Sequence, residues 1–534
     1  MPKKLYKKVL LIILDGFGVA TAGRGNAVTL ANPPNLNDFV NKYAATTLQA
    51  SGPAVGLPWG ENGNSEAGHL NIGSGRIVGQ DMPRINLAIE DRSFFSNPSF
   101  MEAIEHAKAN NSNLHLMGMV SPGGLHSFDE HLYALIGLAA EAGIGDRTYV
   151  HMFTDGEDSK ETALQALDKL QKRMDRIHAG KIATIMGRFY AMDRADHWNL
   201  TEQAYRCMVF AEGQQEKSAL NALTEYASQN IKDHMIPPTV ILQADGSAIK
   251  ITDGDALIHF NYRPDRAIQL TKAFTEQHLK KFIQPYTPLK DIIMVTMTEY
   301  IDGLNVKIAF PPIPLTNGLA EMISKRGLRQ FHCAESEKFA HVSIFFDGGI
   351  HPFPGEDREI VSSPASNYQN YANSPEMSAY QLTDMLIGKL DQNYTFYVVN
   401  FANTDMVGHT GNPMACIQAV TSVDTCLGKL AAKCLQEDIC MIITADHGNI
   451  EEIIDHRSGN VETEHSSNPV PFIIIANDFA RKNPKGGGIE SLAGVLPVGV
   501  LSDVAPTVLE LLGIPKPSEM TGVSLLGQVQ PQVK

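Results

Sequence analysis

Aspartates and histidines recur in separate segments of the chain, in a pattern that could bind metal ions. The residues are Asp15 in "KVLLIILDG", Asp405 and His409 in "NTDMVGHTG", Asp446 and His447 in "TADHGN", and His465 in "TEHSSNPVP". Any one of them alone is more often a helix cap, but several that converge favour a metal site. Mixed carboxylate and imidazole ligands favour Mn²⁺ or Zn²⁺, whereas ligands that are all oxygen favour Mg²⁺ or Ca²⁺. These side chains and one further oxygen suffice for two metals, an arrangement that recurs in displacement at phosphorus.

A glycine-rich stretch at residues 60–76, "GENGNSEAGHLNIGSGR", contains a candidate nucleophile, Ser65. A serine hydroxyl attacks poorly at neutral pH unless a base or a metal activates it. The glycines would let the backbone turn sharply and approach a phosphate closely. The stretch lacks the GxSxG pattern of a hydrolase nucleophile elbow. Composition alone leaves a flexible connection as the alternative, which the neighbouring metal residues make less favourable.

The candidate residues follow short apolar runs that are typical of buried parallel strands. These runs are "KVLLIILDG", "HVSIFFDGG", "TFYVVNFANTD", "ICMIITADHG" and "VPFIIIAND". Apolar residues at helical spacing between 417 and 434 predict a crossover helix between two of them. Strands that alternate with amphipathic helices predict an α/β fold with a mostly parallel sheet. Ligands of such sheets lie beyond the carboxyl ends of the strands, where these residues occur.

The middle of the chain repeats this pattern, but its strands end in arginines as well as acids. The runs are "NLHLMGMVSPGGLHS", "RTYVHMFTDGEDS", "KIATIMGRFYAMDR" and "ALIHFNYRPDR". Their ends supply His126, Asp155, Glu157, Asp158, Arg188, Arg194, Arg263 and Arg266. Arginine forks grip phosphate and carboxylate groups in bidentate fashion, so this part of the chain could hold a small anion. Each arginine alone would more often form a surface ion pair.

We therefore expect two α/β domains, the first of them discontinuous. The first, at residues 1–78 and 316–534, would bind the metals, and the second, at residues 79–315, would bind the substrate. The proline-rich segment "AFPPIPLTNG" marks the second boundary.

Composition excludes several classes of protein. The 44 basic and 59 acidic side chains give a net charge of −15, which argues against a protein that binds nucleic acid or a membrane surface. The N-terminal apolar run is too short for a secretion signal, and no stretch approaches the ~20 apolar residues of a membrane span. The six cysteines form no CxxC pair. We therefore expect free thiols and a cytoplasmic location.

The chain resembles the cofactor-independent (2,3-bisphosphoglycerate-independent) phosphoglycerate mutases of the alkaline phosphatase superfamily. The resemblance rests on "LDGFG", "NSEAGHLNIGSGR", "GRFYAMDR", "NYRPDRAIQ", "AESEKFAHVSIFF", "NTDMVGHTG" and "TADHGN". These segments run in order along nearly the whole chain. The resemblance implies an alkaline-phosphatase-like metal domain interrupted by an inserted phosphotransferase domain. It also implies glycolytic interconversion of 3-phosphoglycerate and 2-phosphoglycerate through a phosphoserine, two Mn²⁺ ions and a monomer.

The resemblance further implies roles for individual residues. One metal would bind Asp15, Ser65, Asp446 and His447, and the other Asp405, His409 and His465. Ser65 would be the nucleophile, and Lys338 would neutralise the transferred phosphoryl group. The residues that hold phosphoglycerate would be His126, Asp158, Arg188, Arg194, Arg263, Arg266 and Lys338. Asp158 would also be the general acid or base for the hydroxyl groups of glycerate.

One position departs from the family pattern. The family usually reads "DGRD" where this chain has "DGED", so Glu157 stands in place of an arginine. An altered substrate is therefore an alternative, as in a metal-dependent phosphatase or another phosphomutase of the superfamily. A non-enzymatic binding protein is a second alternative, although all seven expected metal ligands are present in the sequence.

Overall fold

The computed structural model describes residues 4–276, 279–284, 286–349, 352–364, 371–455 and 458–529. Its contacts divide the chain into two compact units. The discontinuous unit comprises residues 1–80 and 314–534, and the central unit comprises residues 81–313. The sequence predicts residues 79–315 for this central domain. Both units combine helices with a largely parallel sheet, so the predicted α/β fold class is confirmed.

Eight strands form the sheet of the discontinuous unit within its described residues: β1 (Val9–Leu14), β2 (Ala44–Gln49), β11 (Gln330–Glu335), β12 (Glu356–Val361), β13 (Phe396–Phe401), β14 (Cys440–Thr444), β15 (Val470–Ile475) and β16 (Gly499–Val500). Their order across the sheet is β12-β11-β13-β1-β14-β15-β2-β16. The strands from β12 to β14 pair in parallel. β15 runs antiparallel to both β14 and β2, so the run "VPFIIIAND" is a buried strand but its predicted parallel direction is wrong. β1, β13 and β14 are buried along their whole length, as expected for strands that are covered on both faces.

Helices cover this sheet. The α-helices are Ala27–Ala31, Pro34–Lys42, Ser65–Ser74, Leu319–Lys325, Ala379–Leu390, Asn403–Gly408, Pro413–Gln436, Val504–Leu512 and Leu526–Val529. Short 3₁₀ turns lie at Gly52–Val55, Ser336–Lys338, Ile450–Glu452, Asn477–Phe479, Ile489–Gly494 and Leu501–Asp503. Helix Pro413–Gln436 is the predicted crossover between β13 and β14, and it buries Val420, Leu427 and Leu430.

One predicted strand is wrong. The apolar run "HVSIFFDGG" contains a π-helical turn at His341–Phe345 instead of a strand. Val342, Ser343 and Phe346 are buried, whereas Ile344 is exposed, which is helical rather than alternating spacing. An apolar run of this length does not by itself distinguish a buried strand from a helical turn.

The described part of the central unit also contains one sheet of eight strands: β3 (Leu114–Met119), β4 (Thr148–Thr154), β5 (Lys181–Gly187), β6 (Gln214–Glu216), β7 (Thr239–Ile241), β8 (Ala256–His259), β9 (Ile293–Thr298) and β10 (Lys307–Phe310). Their order across the sheet is β10-β9-β8-β3-β4-β5-β7-β6. Only the pairing of β5 with β7 is antiparallel among these described strands.

The α-helices of the central unit are Asp81–Glu90, Pro98–Ala109, Asp129–Glu141, Ala163–Ile177, Arg188–Ala191, Trp198–Phe210, Ala219–Ser228 and Ile268–Thr275. Short 3₁₀ turns lie at Ser93–Ser96, Gly145–Arg147 and Asp233–Met235. The unit has a core on each face of its sheet, one around Phe94 and Phe100 and one around Tyr205 and Phe274. None of the helices in the described part of the chain is both long enough and apolar enough to cross a membrane.

Candidate metal centre and arginine cluster

Four neighbouring parallel strands of the discontinuous unit bring the predicted metal residues to one edge of the sheet. Asp15 follows β1, Asp405 lies in the helix after β13, Asp446 and His447 follow β14, Lys338 ends the 3₁₀ turn after β11, and His465 precedes the antiparallel β15. Parallel strands end at the same edge, so residues that are far apart in sequence meet here.

Ser65 occupies the first turn of helix Ser65–Ser74, where Asn64 caps the helix through the backbone N–H of Ala67. Its hydroxyl oxygen lies 3.1 Å from Asp15 Oδ1 and 3.0 Å from His447 Nε2. The N-terminus of a helix favours negative charge because its backbone N–H groups and dipole point toward it. Ser65 is buried beside Asp15 and His447, and its position at the start of the helix suits a phosphate group.

Lys338 is buried between the carboxylates of Asp15 and Asp405. Its ammonium nitrogen donates to Ser65 Oγ at 2.7 Å and lies 2.6 Å from Asp15 Oδ1 and 2.7 Å from Asp405 Oδ2. Burial alone would raise the pKa of Asp15 and of Asp405, but the Lys338 ammonium holds the pKa of both carboxyls well below its usual range. Burial would lower the pKa of Lys338, yet these two carboxylates raise it.

Three imidazoles point the same nitrogen into the cluster. The Nδ1 atoms of His409, His447 and His465 each face a backbone carbonyl, at 2.7, 3.2 and 2.9 Å. Nδ1–H donates to that carbonyl, so Nε2 is the nitrogen that faces the carboxylates and that would give its lone pair to a bound cation. The Nε2 atoms of His409 and His465 lie 3.3 and 3.2 Å from Asp405 Oδ1.

This donor set fits divalent cations. Asp405, His409 and His465 place possible ligand atoms within 4.8 Å of one another, as do Asp15, Asp405 and His447. Asp15, Asp405 and Asp446 face one lysine, so the cluster keeps an excess of negative charge. Burial would lower the pKa of His447, but Asp446, Asp15 and Asp405 raise it to about 9. The cluster thus attracts positive charge, as a metal site does before it is filled.

Three buried residues that the sequence analysis did not assign support this centre. His69 Nδ1 lies 2.8 Å from the Ser65 carbonyl and 3.2 Å from Asp446 Oδ2. Asn400 donates to Asp15 Oδ2 at 2.6 Å, and Asn449 donates to Asp405 Oδ1 at 3.1 Å. All three occur inside the quoted segments, but nothing in their spacing indicates which neighbour each contacts.

The central unit gathers its candidate residues at the ends of β8, β3, β4 and β5, which are adjacent in the sheet. Asp158 Oδ2 lies 2.8 Å from Arg188 Nη1 and 3.8 Å from His126 Nε2. Asp265 Oδ2 pairs with Arg194 at 2.6 Å, and its Oδ1 lies 3.2 Å from Arg263 Nε. His126 Nδ1 also lies 3.5 Å from Asp265 Oδ1. Within this unit, contacts with Asp158 and Asp265 therefore link five predicted substrate residues: His126, Asp158, Arg188, Arg194 and Arg263.

Arg266 completes this group. Burial lowers its pKa, and repulsion from Arg188 and Arg194 lowers it further. The pKa of His126 falls to about 4, mainly because of burial and then because of Arg188. The arginines therefore lie close enough to repel one another, and an anion would relieve that repulsion.

Besides Asp158, two further acids of the loop after β4 contact Arg188. Asp155, which we assigned no role, accepts from Arg188 Nη1 at 3.0 Å, from Ser121 Oγ at 2.6 Å and from the Asp158 backbone N–H at 2.9 Å. Glu157 Oε2 lies 3.5 Å from Arg188 Nε, and the Glu157 side chain is 47% exposed. The negative charge of Glu157 thus faces the arginine cluster.

Comparison with known proteins covers both units. The family described as "BPG-independent PGAM N-terminus" matches residues 85–302. Relatives named 2,3-bisphosphoglycerate-independent phosphoglycerate mutase come from Clostridium botulinum, 45% identical over 97% of this chain and 99% of theirs, and from Chloroflexus aggregans, 44% identical over 97% and 98%. The solved Leishmania mexicana phosphoglycerate mutase, at low cobalt concentration, aligns over 98% of each chain with a TM-score of 0.61 and 28% identity. The chain is therefore an enzyme that belongs to the family of 2,3-bisphosphoglycerate-independent phosphoglycerate mutases.

Proposed function

We propose that the chain interconverts 3-phosphoglycerate and 2-phosphoglycerate through a phosphoserine at Ser65, without bisphosphoglycerate. The observation that carries this proposal is the environment of Ser65 Oγ. It lies within 3.1 Å of Lys338, His447 and Asp15 at the start of a helix. A serine in such surroundings is equipped to become an alkoxide and then to carry a phosphate.

Two divalent metals, most favourably Mn²⁺, belong to this proposal. Asp15, Ser65, Asp446 and His447 would hold one, and Asp405, His409 and His465 the other. When bound, the cations would lower the pKa of the Ser65 hydroxyl and offset the negative charge of the phosphoryl group.

In the first half-reaction, Ser65, already deprotonated to the alkoxide, attacks the phosphorus of 3-phosphoglycerate through Oγ. A new Oγ–P bond forms, and the bond from phosphorus to the C3 oxygen breaks. The Lys338 ammonium, which donates to Ser65 Oγ at 2.7 Å, stabilises the alkoxide and the charge on the phosphoryl oxygens. The C3 oxygen leaves as a hydroxyl and takes its proton from the Asp158 carboxyl.

In the second half-reaction, the C2 hydroxyl gives its proton to Asp158 and its oxygen attacks the phosphoserine. A bond from the C2 oxygen to phosphorus forms, the Oγ–P bond breaks, and Ser65 leaves as the alkoxide, so the proton count closes over one turnover. Arg188, Arg194, Arg263 and Arg266 would hold the carboxylate and phosphate of the substrate while glycerate reorients. His126, whose pKa of about 4 keeps it neutral at pH 7, would donate one hydrogen bond. Water must be kept away during this step, because its attack would turn the mutase into a phosphatase.

The relatives do not favour the alternative of a phosphatase or another phosphomutase with an altered substrate, since they are named as mutases over nearly their full length. The binding-protein alternative is also disfavoured, because the chain keeps a complete set of candidate metal ligands and its nucleophile.

The test is interconversion of 3-phosphoglycerate and 2-phosphoglycerate by purified protein with no added bisphosphoglycerate. We expect activity with Mn²⁺, and loss of activity on chelation or in Ser65→Ala. A ³²P label from the substrate should become protein-linked in the wild type and not in Ser65→Ala. Activity that survives in Ser65→Ala would overturn the phosphoserine route.

A cytoplasmic location and a monomer also remain proposals. The six cysteines are free and buried, which suits a reducing compartment. Light scattering of the purified protein would test the oligomeric state, and cell fractionation would test the location.

A further inference from the structure

We infer that Glu451 is a positioning residue that holds three metal-bearing loops of the discontinuous unit in register. The inference rests on the proposed metal site. Glu451 lies in the 3₁₀ turn Ile450–Glu452, and it is fully buried.

The Glu451 carboxylate accepts hydrogen bonds from all three loops. Oε2 accepts from the backbone N–H of Gly18 at 2.8 Å and from that of Asn449 at 2.9 Å. Oε1 accepts from the Ser466 hydroxyl and from Asn468 Nδ2, the latter at 3.0 Å. One carboxylate thus joins the loop after β1, the loop after β14 and the loop before β15.

Each loop carries proposed metal ligands a few residues away. Asp15 precedes Gly18, Asp446 and His447 precede Asn449, and His465 precedes Ser466. Asn449 extends the connection, because its side chain donates to Asp405 Oδ1 at 3.1 Å. The Ser466 N–H also donates to the Gly448 carbonyl at 2.9 Å, so the loops are tied by backbone as well.

All four partners donate hydrogen bonds to Glu451, and the two backbone N–H groups among them can only donate. A glutamine that kept its carbonyl oxygen on those two N–H groups would turn its NH₂ group toward the Asn468 Nδ2 donor and toward Ser466 Oγ, which would have to accept instead of donate. Space is equally restricted, because a Cβ at Gly18 or at Gly448 would overlap the Glu451 side chain. Glu451→Gln should therefore separate the loops without removing any metal ligand.

The experiment is calorimetric titration of the metal-free full-length protein with Mn²⁺, well below its unfolding temperature. Loss of a residue that orients metal ligands typically costs about 10–100-fold in metal affinity. We expect Glu451→Gln to raise the Mn²⁺ dissociation constant at least about tenfold. The matched control is Glu452→Gln, because Glu452 is the next residue and, among the described residues, its carboxylate accepts only from Asn468, at 2.9 Å. That control should stay within about twofold of the wild type.

A second readout separates positioning from general stability. In saturating Mn²⁺, Glu451→Gln should recover a near-normal KM for 3-phosphoglycerate, while needing more Mn²⁺ for half-maximal activity. If Glu451→Gln does not fold, Ser466→Ala removes one of the four donors and should weaken Mn²⁺ binding about two- to fivefold.

An unchanged Mn²⁺ dissociation constant in Glu451→Gln, or in Ser466→Ala where only that variant folds, would overturn the inference. So would an equal rise in Glu452→Gln. Absence of Mn²⁺ binding by the wild type would instead overturn the proposed metal site.

Discussion

Single residues decide how much charge the arginine cluster of the central unit can offer a ligand. Arg188 pairs with Asp155, Asp158 and Glu157, and Asp265 pairs with two further arginines. Asp155, Asp158 and Asp265 also fix backbone or histidine positions, so they organise the site. Glu157 contacts only Arg188 among the ion pairs of the described residues, and it is half-exposed. Its charge therefore competes with an anionic ligand.

We expect Glu157→Gln to lower the KM for 3-phosphoglycerate about two- to fivefold, the range of an exposed ion pair. The kcat should change little, because Glu157 contacts no atom that we assign to proton transfer. Steady-state kinetics at low and high salt would measure this, and the difference should shrink in high salt. Asp168→Asn is the control, since Asp168 is an exposed acid that pairs with Lys172 on a helix of the same unit. A KM unchanged in Glu157→Gln would contradict competition by this carboxylate.

Glu335, at the end of β11, should make stability depend on pH. Burial raises the pKa of its carboxyl to about 7. Between about pH 4.5, the pKa of this group in the unfolded chain, and pH 7, the folded protein keeps a proton on Glu335 that the unfolded chain has released. The free energy of unfolding therefore falls as the pH rises through this range.

We expect the free energy of unfolding of Glu335→Gln to fall less than that of the wild type between pH 5 and pH 7.5, by up to about 3 kcal/mol. Urea unfolding of the metal-free protein across this range is the measurement. Glu359→Gln, a partly exposed acid on the neighbouring strand β12 that pairs with Lys389, should keep the slope of the wild type. Parallel curves for Glu335→Gln and the wild type would rule out this carboxyl as the source.

At the scale of elements, helix Ser65–Ser74 is shaped by close packing rather than by helix propensity. It contains Gly68 and Gly73, which weaken an isolated helix by about 1 kcal/mol each relative to alanine. A Cβ at Gly68 would lie 2.5 Å from the Asp446 carbonyl oxygen, and a Cβ at Gly73 would overlap the Phe346 carbonyl. These glycines let the helix that carries Ser65 approach the metal residues.

Gly73→Ala should therefore destabilise the protein despite the better helix propensity of alanine, by roughly 1–3 kcal/mol. Gly388→Ala should have the opposite sign, a gain of up to about 1 kcal/mol. Gly388 also lies within a helix of the discontinuous unit, Ala379–Leu390, but a Cβ there would meet no atom within 4 Å. Chemical denaturation of both variants measures the change in the free energy of unfolding. A gain in stability in both variants would show that the structure around Gly73 adjusts freely to the added methyl group.

The elements also show what the sequence could predict. Apolar runs ending in Asp, His or Arg indicated buried strands, and the α/β class is confirmed, although the run that forms β15 pairs antiparallel. The prediction at residues 341–349 is wrong, because a π-helical turn that buries Val342, followed by the buried Phe346, has the same apolar composition as a strand. The contacts of His69, Asn400 and Glu451 could not be predicted, since each bonds to a segment far away in sequence that only the folded sheet brings near.

At the scale of the whole molecule, metal residues and arginines belong to different units. A metal ion and an anionic substrate should therefore stabilise different segments of the chain. A ligand stabilises what it binds by about 3 kcal/mol at one hundred times its dissociation constant. The stabilisation should appear as slower amide hydrogen exchange in the segments that hold the ligand.

For metal-free protein, we expect Mn²⁺ to slow exchange at residues 15–18, 446–451 and 465–468 of the discontinuous unit. Without metal, 3-phosphoglycerate should instead slow exchange at 155–158, 188–194 and 263–266 of the central unit, because its anionic groups relieve repulsion among the arginines. Mass spectrometry of peptides after deuterium labelling would resolve these segments. Asp405→Asn should abolish the Mn²⁺ response and leave the phosphoglycerate response intact. Equal protection of both units by Mn²⁺ alone would contradict the division of tasks, because each unit would then depend on the metal.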